Sequence, residues 1–180
     1  MKKKTFNIAL CGILSALGVV IMMITAIIPT ATYAMPAIAS LLLTIIVIEI
    51  NKKWALASYF VVSVLSLLLV PDKESVAFYI LFFGYYPIYK QIIESKIKFL
   101  WLQWILKITV FSISAVIVYY IAILILGVPT DEFVILGVNL PLLFLLAGII
   151  VFIIFDYAMT GVIVTYVTKL RKKLFGKWVD

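Results

Sequence analysis

Residue types that usually do chemistry are sparse in this sequence, and the most informative of them is one carboxylate. Asp156 lies within a long apolar run, about 18 Å from the end of that run at Thr168 and so near its centre. An acidic side chain this deep in lipid costs at least about 2.5 kcal/mol, which predicts either a binding or transport role or a hydrogen-bonded packing role. Lys107 enters its own run by only about 3 Å, so we expect its ammonium group to snorkel back to the surface. Ser114, about 13 Å deep, matches the depth of Asp156 better.

Enzymatic chemistry is poorly supported. The sequence has no histidine and a single cysteine, Cys11, so it contains no Ser-His dyad, no imidazole metal site and no internal disulfide. An aspartyl protease needs two aspartates in its active site, and only Asp156 lies deep. We therefore predict a protein that is not an enzyme, with no catalytic residue, no metal site and no cofactor. The net charge of +7 lies in short clusters without interleaved aromatic residues, which predicts no nucleic-acid partner.

The aromatic residues before Pro87 form a second candidate site. The segment Gly84-Tyr85-Tyr86-Pro87 interrupts an apolar run, because proline removes one helical hydrogen bond and glycine loosens the preceding turn. Such interruptions are tolerated where they line a cavity. Tyr79, Phe83 and Tyr86 share one face of a regular helix and would form an aromatic wall. The alternative is a simple proline kink with tyrosines packed between helices.

The elements that position these residues are membrane-spanning helices. The chain is 66% hydrophobic with a mean hydropathy of +1.27, and its apolar runs match the length needed to cross about 30 Å of hydrocarbon. We predict an all-α integral membrane protein, with residues 1–180 forming one transmembrane domain in the lipid bilayer. The six predicted helices span residues 6–28, 34–50, 54–70, 76–93, 105–126 and 140–168.

Loop charges predict the orientation of this bundle. Lysine and arginine collect in cytoplasmic connections, and here nearly all of them fall at both termini and in alternate loops. The other set of loops contains only Lys73. We therefore predict that both termini are cytoplasmic and that the protein lies in the cell membrane. Glu49 is four residues before Lys53, which suggests a solvated pair at a helix end.

The first predicted helix carries small residues on one face. Ala9, Gly12 and Ala16 fall together, and the Gly12–Ala16 pair has the small-xxx-small spacing that allows two helices to approach closely. The partner of this face is either another helix of the same bundle or a separate membrane subunit.

The six helices, the cytoplasmic termini, the length of about 180 residues and this small-residue face resemble the substrate-binding S component of an energy-coupling factor (ECF) transporter. The resemblance implies a subunit that captures a vitamin or other micronutrient near the outer surface, while a transmembrane coupling subunit and ATPases drive uptake. It implies that Ala9, Gly12 and Ala16 contact the coupling subunit, although Ile13 stands where the family's Ala-xxx-Ala spacing has alanine. The substrate pocket of that family maps to the region of Tyr33, Tyr79, Tyr86, Asn139 and Asp156.

Two other functions fit the same sequence. A small proton-coupled carrier would use Asp156 to exchange a proton and a substrate. A non-catalytic accessory membrane subunit would bind no ligand. If a pocket exists, tyrosines and one carboxylate without a deep outward lysine or arginine favour a neutral or cationic molecule of aromatic size over an anion.

Overall fold

The protein folds into a helical bundle in a computed structural model. The structure describes residues 2–28, 31–124, 134–135, 138–139, 141–171 and 173. It contains seven α-helices within those residues: α1 (Lys2–Met23), α2 (Ala34–Glu49), α3 (Lys52–Leu69), α4 (Lys73–Phe78), α5 (Tyr86–Lys96), α6 (Leu100–Leu124) and α7 (Pro141–Thr165). Two-residue strands, β1 (Val134–Ile135) and β2 (Val138–Asn139), pair antiparallel before α7.

Five helical segments of the described chain are long and apolar enough to cross a membrane. They are Lys4–Ala26, Lys52–Leu69, Lys73–Lys96, Leu100–Ile121 and Leu145–Leu170. Helix α2 is a shorter apolar helix of 16 residues. The outer surface of the bundle carries many exposed large apolar side chains, such as Leu68 at 73% and Phe60 at 59%. Such a surface is suited to lipid, and these helices indicate a membrane protein.

Polar caps begin the two helices that follow tight connections. The Asn51 side chain accepts hydrogen bonds from the backbone N–H groups of Lys53 and Trp54 at 2.9 and 3.1 Å, which starts α3 only three residues after α2 ends. The Asp72 side chain accepts from the N–H of Ser75 at 3.1 Å and starts α4 in the same way. Each cap satisfies backbone donors that the first turn of a helix leaves without a partner.

Two buried clusters hold the bundle together. The first joins α1, α2 and α3 around side chains such as Met22, Leu43 and Val62, which are at most 2% exposed. The second joins the segment Lys73–Lys96, called the fourth span here because α2 counts as the second, to α6 and α7 around Phe82, Tyr86, Phe152 and Met159. The functional residues described below lie in and beside this second cluster.

The fourth span is not one regular helix. A π-helical segment (Tyr79–Phe83) follows α4, and a turn at Gly84 and Tyr85 precedes α5. The N–H of Gly84 donates to the carbonyl of Tyr79 at 2.7 Å, five residues back. Pro87 lies in the first turn of α5, where its missing N–H costs nothing. The interruption predicted from Gly84-Tyr85-Tyr86-Pro87 is therefore confirmed.

The pairing predicted for Glu49 is wrong. Glu49 is the last residue of α2, and the chain turns at Ile50 before α3 begins, so Lys53 is not one turn further along the same helix. The Glu49 carboxylate instead pairs with the Arg171 side chain at 3.0 Å and accepts a hydrogen bond from the Tyr166 hydroxyl at 3.1 Å. The pair ties the end of α2 to the π-helical segment (Tyr166–Leu170) that follows α7.

Candidate functional site

A cavity of about 570 Å³ lies between the fourth span, α6 and α7, on the side of the bundle where Tyr33 and Glu74 are found. Its volume is within the usual range for small-molecule sites. The walls are almost entirely apolar and rich in aromatic rings. The described lining residues are Tyr33, Glu74, Phe78, Phe82, Phe83, Phe111, Ala115, Val116, Val118, Tyr119, Leu145, Ala147, Gly148, Val151, Phe152 and Phe155.

Interlocking rings form one wall of this cavity. Phe111 of α6 stacks on Phe152 of α7 with ring centroids 4.9 Å apart and an interplanar angle of 8°. Phe82 meets both rings edge-on, at 5.1 and 5.4 Å. Contacts of this geometry stabilise aromatic pairs by about 0.5–1.5 kcal/mol beyond area burial. The wall is therefore a rigid surface that joins three spans.

The mouth of the cavity carries its polar groups. The Tyr33 hydroxyl donates to the Glu74 carboxylate at 2.8 Å, and its ring meets Phe78 edge-on at 5.0 Å. The Thr32 hydroxyl donates to the Asp72 carboxylate at 2.9 Å, so the segment before α2 is held against the start of α4. Partial burial, with the nearby Glu74 carboxylate, raises the pKa of the Tyr33 phenol, which therefore stays protonated as a donor.

A buried charge cluster lies on the other side of the aromatic wall. Its centre is Asp156 of α7, whose carboxylate pairs with Lys90 at 2.5 Å and with Lys107 at 3.1 Å. Glu94 also pairs with both lysines, at 2.8 and 2.7 Å. Lys90, Lys107 and Asp156 are each no more than 3% exposed. Two carboxylates and two ammonium groups balance, so the cluster is neutral when all four are ionised.

Tyr86 connects the cluster to the cavity wall. Its hydroxyl donates to the Asp156 carboxylate, while its ring packs against Phe82 at 5.0 Å and Phe152 at 5.4 Å. Tyr86 is fully buried and is absent from the described lining of the cavity. The Tyr86 side chain therefore links the aromatic wall of the cavity directly to the Asp156 carboxylate.

The structure separates the residues that the sequence assigned to one substrate site. Tyr33 lines the cavity, whereas Tyr86 and Asp156 bind each other behind its wall. Tyr79 is fully buried beside Tyr59, with ring centroids 6.2 Å apart, in the cluster of α1, α2 and α3. Asn139 lies in β2, and the position of its side chain is outside the described part of the chain.

Three expectations about residues near the site are wrong for clear geometric reasons. Ser114 does not meet Asp156; its hydroxyl hydrogen-bonds the Tyr85 hydroxyl at 3.1 Å. Lys107 does not snorkel to the surface, because Asp156 and Glu94 both bind its ammonium group. Tyr79, Phe83 and Tyr86 do not form one wall. The π-helical segment and the turn after it change the residue spacing, so only Phe83 of the three lines the cavity.

Several important residues were not predicted. Phe82, Phe111 and Phe152 are ordinary apolar residues in long apolar runs, and nothing in their spacing distinguishes them from lipid-facing positions. The sequence positions of Lys90 and Glu94 could have predicted that these two residues form an ion pair. They stand four residues apart on one helix face, and Lys90 lies inside the fourth predicted helix, 76–93, where a charge is unusual.

Among the described residues, no group of three or more histidine, cysteine, aspartate or glutamate side chains could hold a metal ion. Comparison with protein-family models, with curated proteins and with solved structures finds no match to this chain. The geometry of the cavity and the charge cluster, together with the charge pattern of the sequence, is therefore the basis for the function proposed below.

Proposed function

We propose that this protein is the membrane-embedded substrate-binding subunit of an uptake system for a small, vitamin-like micronutrient. The observation that carries the proposal is the aromatic cavity of about 570 Å³ between the fourth span, α6 and α7. A partly open space of this size, with apolar walls and a few polar groups at its mouth, is typical of a small-molecule site. The alternative of a proton-coupled carrier loses its main support, because Asp156 is paired with two lysines and is absent from the described lining of the cavity.

The orientation of the cavity supports uptake from outside the cell. Its mouth, with Tyr33 and Glu74, belongs to the end of the bundle whose predicted loops contain one basic residue, Lys73. The opposite end contains the lysine-rich connections, which the positive-inside rule assigns to the cytoplasm. In this arrangement six spans, with α2 as the shortest, leave both termini inside and open the cavity outward in the cell membrane.

Single cysteines test this orientation. In a Cys11→Ser background, Lys53→Cys and Lys173→Cys are expected to react with an impermeant maleimide only after the cytoplasmic side is opened. Asp131→Cys is expected to react in intact cells. Reaction of all three from the same side would contradict the arrangement.

The small-residue face of α1 supports the presence of a membrane partner. Ala9, Gly12 and Ala16 are exposed on the outside of the bundle, and a side chain added at Gly12 would meet no atom of the described chain within 4 Å. The flanking residues Ile8 and Ile13 are more than 60% exposed. A flat strip of small residues allows another helix to approach closely. In the proposed system this partner is a coupling subunit that brings ATPases to the complex.

Bulky substitutions on this strip are expected to weaken the partner contact without harming the fold. Gly12→Leu and Ala16→Leu should each reduce co-purification of membrane partners in mild detergent by about tenfold, because the added side chain separates the helix backbones. The melting temperature and ligand binding of the purified subunit should not change. Ala57→Leu, on the exposed face of α3, is the matched control. Equal recovery of partners with all four proteins would contradict a partner at this strip.

Filling the cavity is the direct test of the function. A panel of water-soluble vitamins is screened by thermal shift in nanodiscs, and saturation with a true ligand at about 100 times its Kd should stabilise the protein by about 2.7 kcal/mol. Ala115→Trp places an indole in the cavity and should abolish that shift. Ala57→Trp, facing lipid, should retain it. An identical shift in both variants would place binding outside the cavity, and no shift in the parent protein together with no co-purified small molecule would favour an accessory subunit.

A further inference from the structure

The charge at the mouth of the cavity has one sign. The described lining of the cavity contains one acidic residue, Glu74, and no lysine or arginine. The described partner of the Glu74 carboxylate is the neutral Tyr33 phenol, and none of the ion pairs in the described chain includes Glu74. A carboxylate that is held in place but not neutralised creates a negative potential at the cavity.

The lysine next to Glu74 in the sequence, Lys73, hydrogen-bonds backbone carbonyl groups. Lys73 precedes Glu74, but its ammonium group donates to the carbonyl oxygens of Leu67 and Val70, both at 2.8 Å. These carbonyls belong to the end of α3, where the helix leaves acceptors without partners and where a cation is favoured. Lys73 therefore caps α3 and forms no ion pair with Glu74 in the described chain.

The sequence supplies few other basic residues close to the described lining of the cavity. The sequence from residue 108 to residue 168 contains no lysine or arginine. The deep lysines Lys90 and Lys107 are bound by Asp156 and Glu94 and are absent from the described lining. An anionic ligand would have to leave water for this cavity without an opposite charge to pair with, which is strongly unfavourable.

The walls favour a positive charge for a second reason. Six phenylalanine rings line the cavity. Aromatic faces carry negative electrostatic potential and attract a nearby cation, more strongly where water is excluded. The aromatic wall and the Glu74 carboxylate therefore select the same sign of ligand charge.

We propose that the ligand of the cavity is an organic cation, with an apolar ring-sized body among the phenylalanine side chains and a protonated amine or quaternary ammonium group beside Glu74. This inference rests on the proposed function and specifies its substrate class. Glu74 then determines charge selectivity, and the aromatic rings determine size.

Three probes with one ring system test the sign of the charge. Binding of 2-naphthylmethylammonium, 2-naphthylmethanol and 2-naphthoate is measured by fluorescence in phosphatidylcholine nanodiscs, with empty nanodiscs as the partition control. The cation is expected to bind at least about tenfold more tightly than the naphthoate. Its affinity should fall as NaCl is raised from 20 to 500 mM, because the mouth of the cavity is open to salt, while that of the alcohol should not.

Two variants assign this preference to the carboxylate. Glu74→Gln keeps an acceptor for Tyr33 and removes the charge, so it should weaken cation binding by about tenfold and leave alcohol binding unchanged. Tyr33→Phe removes the hydrogen bond and keeps the charge, so cation binding should persist. If the two variants weaken all three probes equally, Glu74 acts through the Tyr33 contact alone and the inference is wrong.

The remaining outcomes separate this inference from the proposed function. Naphthoate binding at or above the affinity of the cation would contradict the cation preference while leaving a binding subunit in place. Absence of specific binding by all three probes, with no vitamin shift in the parent protein, would contradict the binding function and this inference together.

Discussion

Replacement of Asp156 by asparagine is expected to lower the stability of the folded bundle by about 3–5 kcal/mol, the usual cost of removing one partner from a buried ion pair. The asparagine keeps the size of the side chain but cannot balance a charge. Lys90 and Lys107, each no more than 3% exposed, would then share only Glu94, whose side chain is 39% exposed. One buried positive charge would be left uncompensated. The measurement is thermal unfolding of the purified protein in one detergent, compared with the parent.

A charge-balanced double variant shows whether the loss comes from charge. Lys107→Met combined with Asp156→Asn leaves the Lys90–Glu94 pair at 2.8 Å intact and the cluster neutral. It should recover more than half of the stability lost by Asp156→Asn, because coupling within a buried network is not additive. Lys53→Gln, at an exposed position, serves as the surface control and should change stability by less than about 0.5 kcal/mol. An Asp156→Asn protein that melts with the parent would show that the cluster does not stabilise the bundle.

The helices could be predicted from the sequence because lipid imposes a length and a composition on each of them. The predicted run 34–50 corresponds to Ala34–Glu49, and the run 54–70 to Lys52–Leu69. The boundaries shift where polar residues extend a helix beyond its apolar part. Helix α6 begins at Leu100, five residues before the predicted start. The Gln103 side chain in its first turns donates to the carbonyl of Ile97, the C-cap residue of α5, and so ties the two helices together.

The site could be predicted only in part. The predicted depth of Asp156 in the membrane was enough to identify it as exceptional. Its partners Lys90 and Lys107 could not be predicted, because they depend on how three helices cross, and the depth of a residue along its own helix does not determine the crossing. Lysine adds a further uncertainty, because its long side chain reaches a partner several ångströms from its own backbone level. The sequence left open whether the small-residue face of α1 packs inside the bundle, and the structure places this face on the outside of the described helices.

The cavity and the charge cluster are built from the same three spans and lie on opposite sides of the aromatic wall. The same three spans supply both, with aromatic residues toward Tyr33 and Glu74 and charged residues beyond Tyr86. The cluster fixes the relative positions of α5, α6 and α7 through Lys90, Lys107 and Asp156, so the rings on those spans meet in a defined geometry. Asp156, which the sequence assigned to the substrate site, therefore lies outside the described lining of the cavity and stabilises the positions of the helices that form it.

Replacement of Gly84 by alanine is expected to destabilise the fold by about 1–3 kcal/mol, although glycine to alanine within a helix usually stabilises by about 1 kcal/mol. Gly84 has ordinary right-handed backbone angles, so conformational freedom is not the reason for glycine here. The reason is space. A Cβ atom at this position would lie 2.5 Å from a ring carbon of Tyr59 and 2.9 Å from one of Tyr79.

Neither ring can move away at low cost. The Tyr59 hydroxyl donates to the carbonyl of Ile80 at 2.7 Å, and Tyr79 is fully buried. Gly161→Ala is the matched control, because a Cβ there would meet nothing within 4 Å, and it should leave the melting temperature unchanged or slightly raised. In a Tyr59→Leu background, which removes the obstructing ring, Gly84→Ala should cost clearly less than in the parent. If Gly84→Ala melts like Gly161→Ala, the close approach of Tyr59 is not what requires glycine at the interruption of the fourth span.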